Sequence, residues 1–246
     1  MLSTKPIYLL LIIFCSFGCK KEIPEIRLDK NPYYDQTKKL SDEAKANPVD
    51  KTALHELENY TTNSDSWYRS YALGSLGELA FQNVGDCRTE LLPYFDNALK
   101  DSDYGVKQSG VQAIYDIGSL AVEKSLPELI EMVTQGKEND ITWLAAEALG
   151  KLEDSKKSQE ISPVLLKAAN IAPPEGTPDE APQIRYYALE SIVEIAKKNN
   201  LNVVSDLEKL LDESKSPYKE RVAKAILELN PTNEAAKKVL NSPAVK

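Results

Sequence analysis

Five stretches of this chain can be laid over one another, and that repeat limits the fold more than any single motif does. They are Tyr68–Leu79, Val106–Ile117, Ile141–Leu152, Ile184–Ile195 and Tyr218–Leu229. A compact residue recurs in one column: Ala72, Gly110, Ala145, Ala188 and Val222. Four residues later an aliphatic one recurs: Leu76, Ile114, Leu149, Ile192 and Ile226. That spacing puts both columns on one face of an α-helix. The compact column lets neighbouring units draw their backbones together, and the aliphatic column supplies area worth about 25 cal/mol per Å² buried. The compact residues stand 38, 35, 43 and 34 positions apart, which leaves room for two helices and their turns in each unit.

A first helix is predicted ahead of each patterned one. The candidates are Pro48–Tyr60, Glu90–Leu99, Ser125–Val133, Ile161–Ala169 and Val203–Leu211, with Asn47 as the cap of the earliest. Pro127 and Pro163 are expected in first turns, where a missing N–H costs nothing, and Pro93 is expected to shift its helix start. A short helix, Glu234–Leu240, would close the array between Pro231 and Pro243. The long third interval is explained by an insertion, residues 170–183, whose four prolines make it stiff and non-helical.

This pattern resembles the HEAT-like repeats of phycobilisome-lyase-type domains and many bacterial proteins. Their second helix opens on an acidic cap, an apolar residue and Arg, followed by small residues and Leu-Gly. Here Asp65, Asp103 and Asp140 precede Arg69, Lys107 and Thr142, and Arg185 and Lys219 fill the same column later. Thr142 breaks the basic column, and the Leu-Gly ending survives as Leu76-Gly77 and Leu149-Gly150. The resemblance runs over roughly residues 48–229. It implies an all-α fold, a right-handed α-solenoid of about five HEAT-like hairpins, and says nearly nothing of function.

The N-terminus carries a different message. Met1–Lys5 holds one positive charge, Ile7–Phe14 is apolar, and Ser16-Phe17-Gly18-Cys19 precedes two lysines. A charged head, an apolar run too short to span a bilayer and a small residue before the cut read as an export signal. The cysteine directly after Gly18 resembles the lipobox of bacterial lipoproteins, although Ser16 stands where Leu is usual. The resemblance implies cleavage before Cys19 and acylation of that residue, palmitate included. It divides the chain into a signal peptide at 1–18, a lipidated tether at 19–37 and a repeat domain at 38–246. Several acyl chains hold a protein on a membrane firmly, at about 0.8 kcal/mol per buried methylene. The exported side of a bacterial membrane follows, and Lys20, where the inner-membrane retention signal has Asp, favours the outer one.

Charge and residue inventory narrow the chemistry. Without residues 1–18, and so without Lys5, the balance is 29 Lys+Arg to 38 Asp+Glu, net −9. That opposes a general attraction to nucleic acid or to an anionic bilayer. With Cys15 removed and Cys19 lipidated, Cys87 is alone, so no internal disulfide forms and a buried structural thiol is expected. The one histidine, His55, has no second histidine to complete a metal site and is expected on an exposed helix face. No serine sits in a Gly-x-Ser-x-Gly elbow and no glycine-rich loop cradles phosphate, so neither a catalytic site, a metal nor a cofactor is assigned.

Twelve tyrosines against four phenylalanines point instead to recognition, since Tyr offers an amphipathic contact at little entropic cost. Tyr71 and Tyr187 share the column before the compact residue, while Tyr115 and Tyr186 are expected to point outward. Those two, with the basic column Arg69, Lys107, Arg185 and Lys219, are the candidate partner-binding residues. The expected role is a membrane-anchored scaffold for another protein or an envelope complex. An enzyme acting on cell-envelope material and a purely architectural spacer are the alternatives.

Overall fold

The computed structural model describes residues 31–135, 140–172, 183–215 and 217–242. The chain divides into Met1–Asn31 and a body, Pro32–Lys246. The export signal, Cys19 and most of the expected tether lie outside the described residues, as does most of the 170–183 insertion.

Among its described residues the body contains thirteen α-helices. Five hairpins are recognisable, each a first helix leading into a patterned second one. They are α2 (Thr52–Tyr60) with α3 (Ser66–Gln82), α4 (Arg88–Ala98) with α5 (Tyr104–Ile117), and α7 (Leu126–Gln135) with α8 (Asp140–Leu149). Then come α9 (Ser155–Ala169) with α10 (Ile184–Asn199), and α11 (Val204–Glu213) with α12 (Tyr218–Leu229). A short α6 (Ser119–Lys124) is inserted before α7. The second helices pack in series, α3 on α5, α5 on α8, α8 on α10 and α10 on α12. The body is an all-α, right-handed solenoid.

Its two ends are closed by half-units. Helix α1 (Pro32–Ala46) packs on α2 and α3, in the place of a second helix. Helix α13 (Glu234–Asn241) packs on α12 and α11, in the place of a first helix. Terminal repeats need such covers, because the face that an inner unit buries against its neighbour has none at the ends.

Both columns read from the sequence are buried in full. Ala72, Ala145, Ala188 and Val222 have no exposed surface, nor do Leu76, Ile114, Leu149, Ile192 and Ile226. The compact column has a different use from the one expected, however. A Cβ on Gly110 would meet the Ala98 Cβ at 2.7 Å and the Phe95 carbonyl oxygen at 3.2 Å. Both belong to α4, so this close approach lies within a hairpin. The approach between units is made at Gly77, whose Cβ would come within 2.9 Å of the Ala113 Cβ on α5.

Side-chain caps set four helix starts among the described residues. Asp65 accepts from the Trp67 N–H, Asp103 from Val106, Asp154 from Lys157 and Asn233 from Ala236. Asn83 and Asn200 close α3 and α10 in the left-handed conformation that Asn tolerates. At Gly118 φ is +86°, which turns the chain between α5 and α6.

Several elements depart from expectation. The segment expected as tether is helical from Pro32, because α1 is held by Tyr33 and Tyr34 rings against α3 rather than by an aliphatic stripe. Asn47 does not cap α2; its N–H closes α1 on the Glu43 carbonyl, and Asp50 accepts from the Thr52 N–H at 3.0 Å instead. Pro163 lies well inside α9, which starts at the Asp154 cap. The Ser162 hydroxyl donates to the Ser158 carbonyl at 2.7 Å beside it, and Pro163 itself offers no N–H to the turn before. Pro93 is likewise interior to α4.

Candidate functional site

Along the second helices, three positions per unit face away from the first-helix layer, and they form continuous rows across the array. One row precedes the compact column by one residue: Tyr71, Ser109, Leu144, Tyr187 and Arg221. A second precedes it by two, Ser70, Gln108, Trp143, Tyr186 and Glu220, and a third follows it by two, Gly74, Gln112, Glu147, Glu190 and Lys224. The helices pair these rows across unit boundaries. Ser70 and Ser109 hydroxyls are 2.9 Å apart, and Trp143 stacks on Tyr187 with ring centroids at 6.0 Å. The Arg221 guanidinium lies 4.6 Å above the Tyr186 ring. One residue of each unit thus meets the next position of the following unit.

The centre of this face is aromatic and acidic. Tyr115 donates to Glu147 at 3.2 Å, while the Lys151 ammonium sits 4.7 Å from the Tyr115 ring centroid and 3.7 Å from Glu194. Burial pushes the Glu147 carboxyl above the usual carboxylate range, and the charges of Glu190 and Glu194 add to that. The Tyr187 phenol is raised by burial and by the neighbouring Glu147 and Glu190 charges. Towards the C-terminus a groove of about 340 Å³ opens between α10 and α12. Leu189, Val193 and Ala225 form its floor, while Glu190 and Glu194 face Arg221 and Lys224 across it.

The residues singled out from the sequence divide between this face and the framework. Tyr115 and Tyr186 are half-buried on the face, Tyr186 resting edge-on against Tyr218 at 5.3 Å between centroids. Arg69 belongs to the framework. It grips both carboxylate oxygens of Asp101, in the next hairpin, at 2.8 and 2.9 Å, and donates to the Asn63 and Ser64 carbonyls. Those bonds hold the Asp101 carboxyl below its usual range. Arg185 is 6% exposed, its guanidinium 3.7 Å from the Tyr218 ring centroid. Tyr218 in turn donates to the Ala169 and Arg185 carbonyls. Lys107 and Lys219 are half-buried at the starts of α5 and α12.

Sequence reasoning passed over Trp143, Glu147, Glu190, Arg221 and Lys224. The alignment that fixed the compact column also held these rows, at offsets of minus two, minus one and plus two; they were missed because their chemistry changes from unit to unit. His55 is exposed on α2, and Cys87 is a buried free thiol. Among the described residues no three His, Cys, Asp or Glu side chains are gathered to hold a metal. No described helix is long and apolar enough to cross a membrane.

Comparison with solved structures agrees with this geometry. A crystal structure of an engineered protein matches 81% of this chain and 89% of its own, at 18% identity and a TM-score of 0.52. A designed armadillo repeat protein matches 81% of this chain and 99% of its own, at 16% identity and a TM-score of 0.51. The fold is a HEAT/armadillo-like helical-repeat solenoid. An archaeal HEAT-like repeats protein from Thermococcus onnurineus is also similar, at 17% identity and a TM-score of 0.45 over 81% of this chain and 99% of that one. No protein-family model and no curated protein matches the sequence.

Proposed function

We propose that this solenoid is a membrane-anchored scaffold that binds a protein partner in the bacterial envelope through its second-helix face. The observation that carries the reading is the continuity of that face. An apolar floor between α10 and α12 runs beside the stacked Trp143–Tyr187 pair and the Glu147–Tyr115 pair, with charges of both signs along it. Apolar and aromatic centres rimmed by charge are the anatomy of protein interfaces. Tyr186, which lines the groove, and Tyr115, farther along the same face, are proposed contacts. Lys107 and Lys219 are proposed contacts at the starts of α5 and α12, whereas Arg69 and Arg185 act by fixing the hairpins that present the face.

Anchoring rests on the Met1–Cys19 pattern, which supports acyl chains at Cys19, the exported side of the membrane and, through Lys20, the outer one. A purely architectural spacer would have no reason to set a Trp143–Tyr187 stack and a Tyr115–Glu147 pair along this face.

Crosslinking in intact cells, followed by mass spectrometry of captured proteins, tests the reading. The double variant Glu190→Lys with Lys224→Glu reverses two exposed charges across the groove. Partner recovery should fall while thermal stability stays within about 0.5 kcal/mol of the parent. Undiminished recovery with a folded variant would exclude this groove. Cys19→Ser should move the protein from the membrane to the soluble fraction.

A further inference from the structure

The N-terminal end of the solenoid carries an aromatic cluster that shares only Tyr71 with the partner-binding face. Tyr33 and Tyr34 open α1, Tyr60 ends α2, and Trp67, Tyr68 and Tyr71 lie in the first turns of α3. Tyr33 meets Tyr68 edge-on at 4.7 Å and Trp67 in a stack at 6.5 Å. Trp67 stacks on Tyr71 at 6.1 Å, Tyr34 meets Tyr71 at 5.9 Å, and Tyr60 stacks on Tyr68 at 5.0 Å. Gln36 joins the Tyr60 and Tyr68 hydroxyls. The rings therefore form one stiff block, in which α1 runs beside α3 with both helix starts at the same edge.

That block does not bury itself. Trp67 is 58% exposed and Tyr34 38%, and on the same edge Tyr104, at the start of α5, is 47% exposed. Amphipathic rings fixed at one edge suit the boundary between lipid headgroups and acyl chains.

We infer that this edge rests on the lipid bilayer, with Trp67, Tyr34 and Tyr104 set at headgroup depth. The inference depends on the proposed anchor at Cys19 and extends it. Twelve residues separate Cys19 from Pro32, a reach of about 40 Å at full extension. Tyr33 and Tyr34 are the next residues after Pro32, so this edge is the part of the body nearest to the anchor along the chain. Anchoring raises the local concentration of the edge at the surface, and weak insertion becomes sufficient. The attraction is apolar. The edge carries Asp65 and Asp103 as helix caps, and the Arg69 charge is taken by Asp101. Anionic lipid should therefore not strengthen the contact.

The test uses the mature chain, Cys19–Lys246, coupled through Cys19 to a maleimide lipid in phosphatidylcholine vesicles; Cys87 is buried and does not compete. Trp143→Phe leaves Trp67 as the one tryptophan reporter. Lipid brominated near the headgroup should quench roughly half of its fluorescence and shift its emission to the blue, as interfacial burial requires. Tyr104→Ser should weaken that quenching, with circular dichroism unchanged. Trp67 emission identical on brominated and plain vesicles would overturn the inference, as would quenching that needs anionic lipid. So would a photo-crosslinker at position 67 that captures protein and no lipid in cells. Metabolic labelling with an alkynyl fatty acid reports on the anchor separately: label absent from Cys19 removes the premise in the cell, whereas label present with unquenched Trp67 condemns the edge alone.

Discussion

At the scale of single residues, two carboxylates on the same array respond to pH in opposite directions. Asp101 is held below its ordinary range by the hydrogen bonds of Arg69, so its ion pair adds stability that is complete above about pH 4 and is lost as pH falls through the lower folded value. Arg69→Ala or Asp101→Asn should cost about 2 kcal/mol in urea unfolding at pH 7, the difference shrinking below about pH 4. Arg69→Lys should not restore it, because a point charge cannot serve two carboxylate oxygens and two carbonyls at once. Glu147 behaves the other way. Burial raises its carboxyl, so the folded state holds its proton more tightly and stability declines as pH rises above about 4. Glu147→Gln, which still accepts from Tyr115, should raise the melting temperature at pH 7 and leave it unchanged at pH 3.

At the scale of helices, glycines in equivalent surroundings on paper have contrary roles. A methyl on Gly110 collides with α4, so Gly110→Ala should force α4 and α5 apart at a cost of about 1–3 kcal/mol. Gly74, interior to α3, has nothing within 4 Å of its would-be Cβ. Gly74→Ala should therefore stabilise by about 0.5–1 kcal/mol, through the helix propensity of alanine. Chemical denaturation of both variants checks the pair. The patterned helices were legible from sequence because Ala72, Leu76 and their equivalents obey one spacing in one chemistry. Helix α1 was not, since two of its four buried residues are polar, Thr37 and Ser41, and its hold on α3 comes from tyrosine rings. The start of α9 was hidden by Pro163, which usually marks a first turn and here lies beyond an Asp154 cap. The second-helix face was illegible for a different reason. Its rows run Gly74, Gln112, Glu147, Glu190, Lys224, and residues that vary by design leave no period to detect.

At the scale of the whole molecule, stability should be distributed along the axis, since each unit leans on its neighbours and on nothing further away. Removing residues 231–246 strips α13 from α12, uncovering the face where Ala236 is buried and freeing Glu208 from the Asn233 amide. The truncated chain should melt in two steps, α11–α12 first. Hydrogen exchange should show amides of that hairpin opening well before those of α5 and α8, whose protection stays close to the parent value.

The two ends of the array also bear on how such a chain changes length. It begins on a lone second-type helix and finishes on a lone first-type helix, so α1 followed by α2 reads as a hairpin cut in the reverse phase. A duplicated segment spliced anywhere in the middle, in either phase, would leave both terminal lids where they are. The distance between the two lids can therefore be reset in whole-unit steps without redesigning either tip.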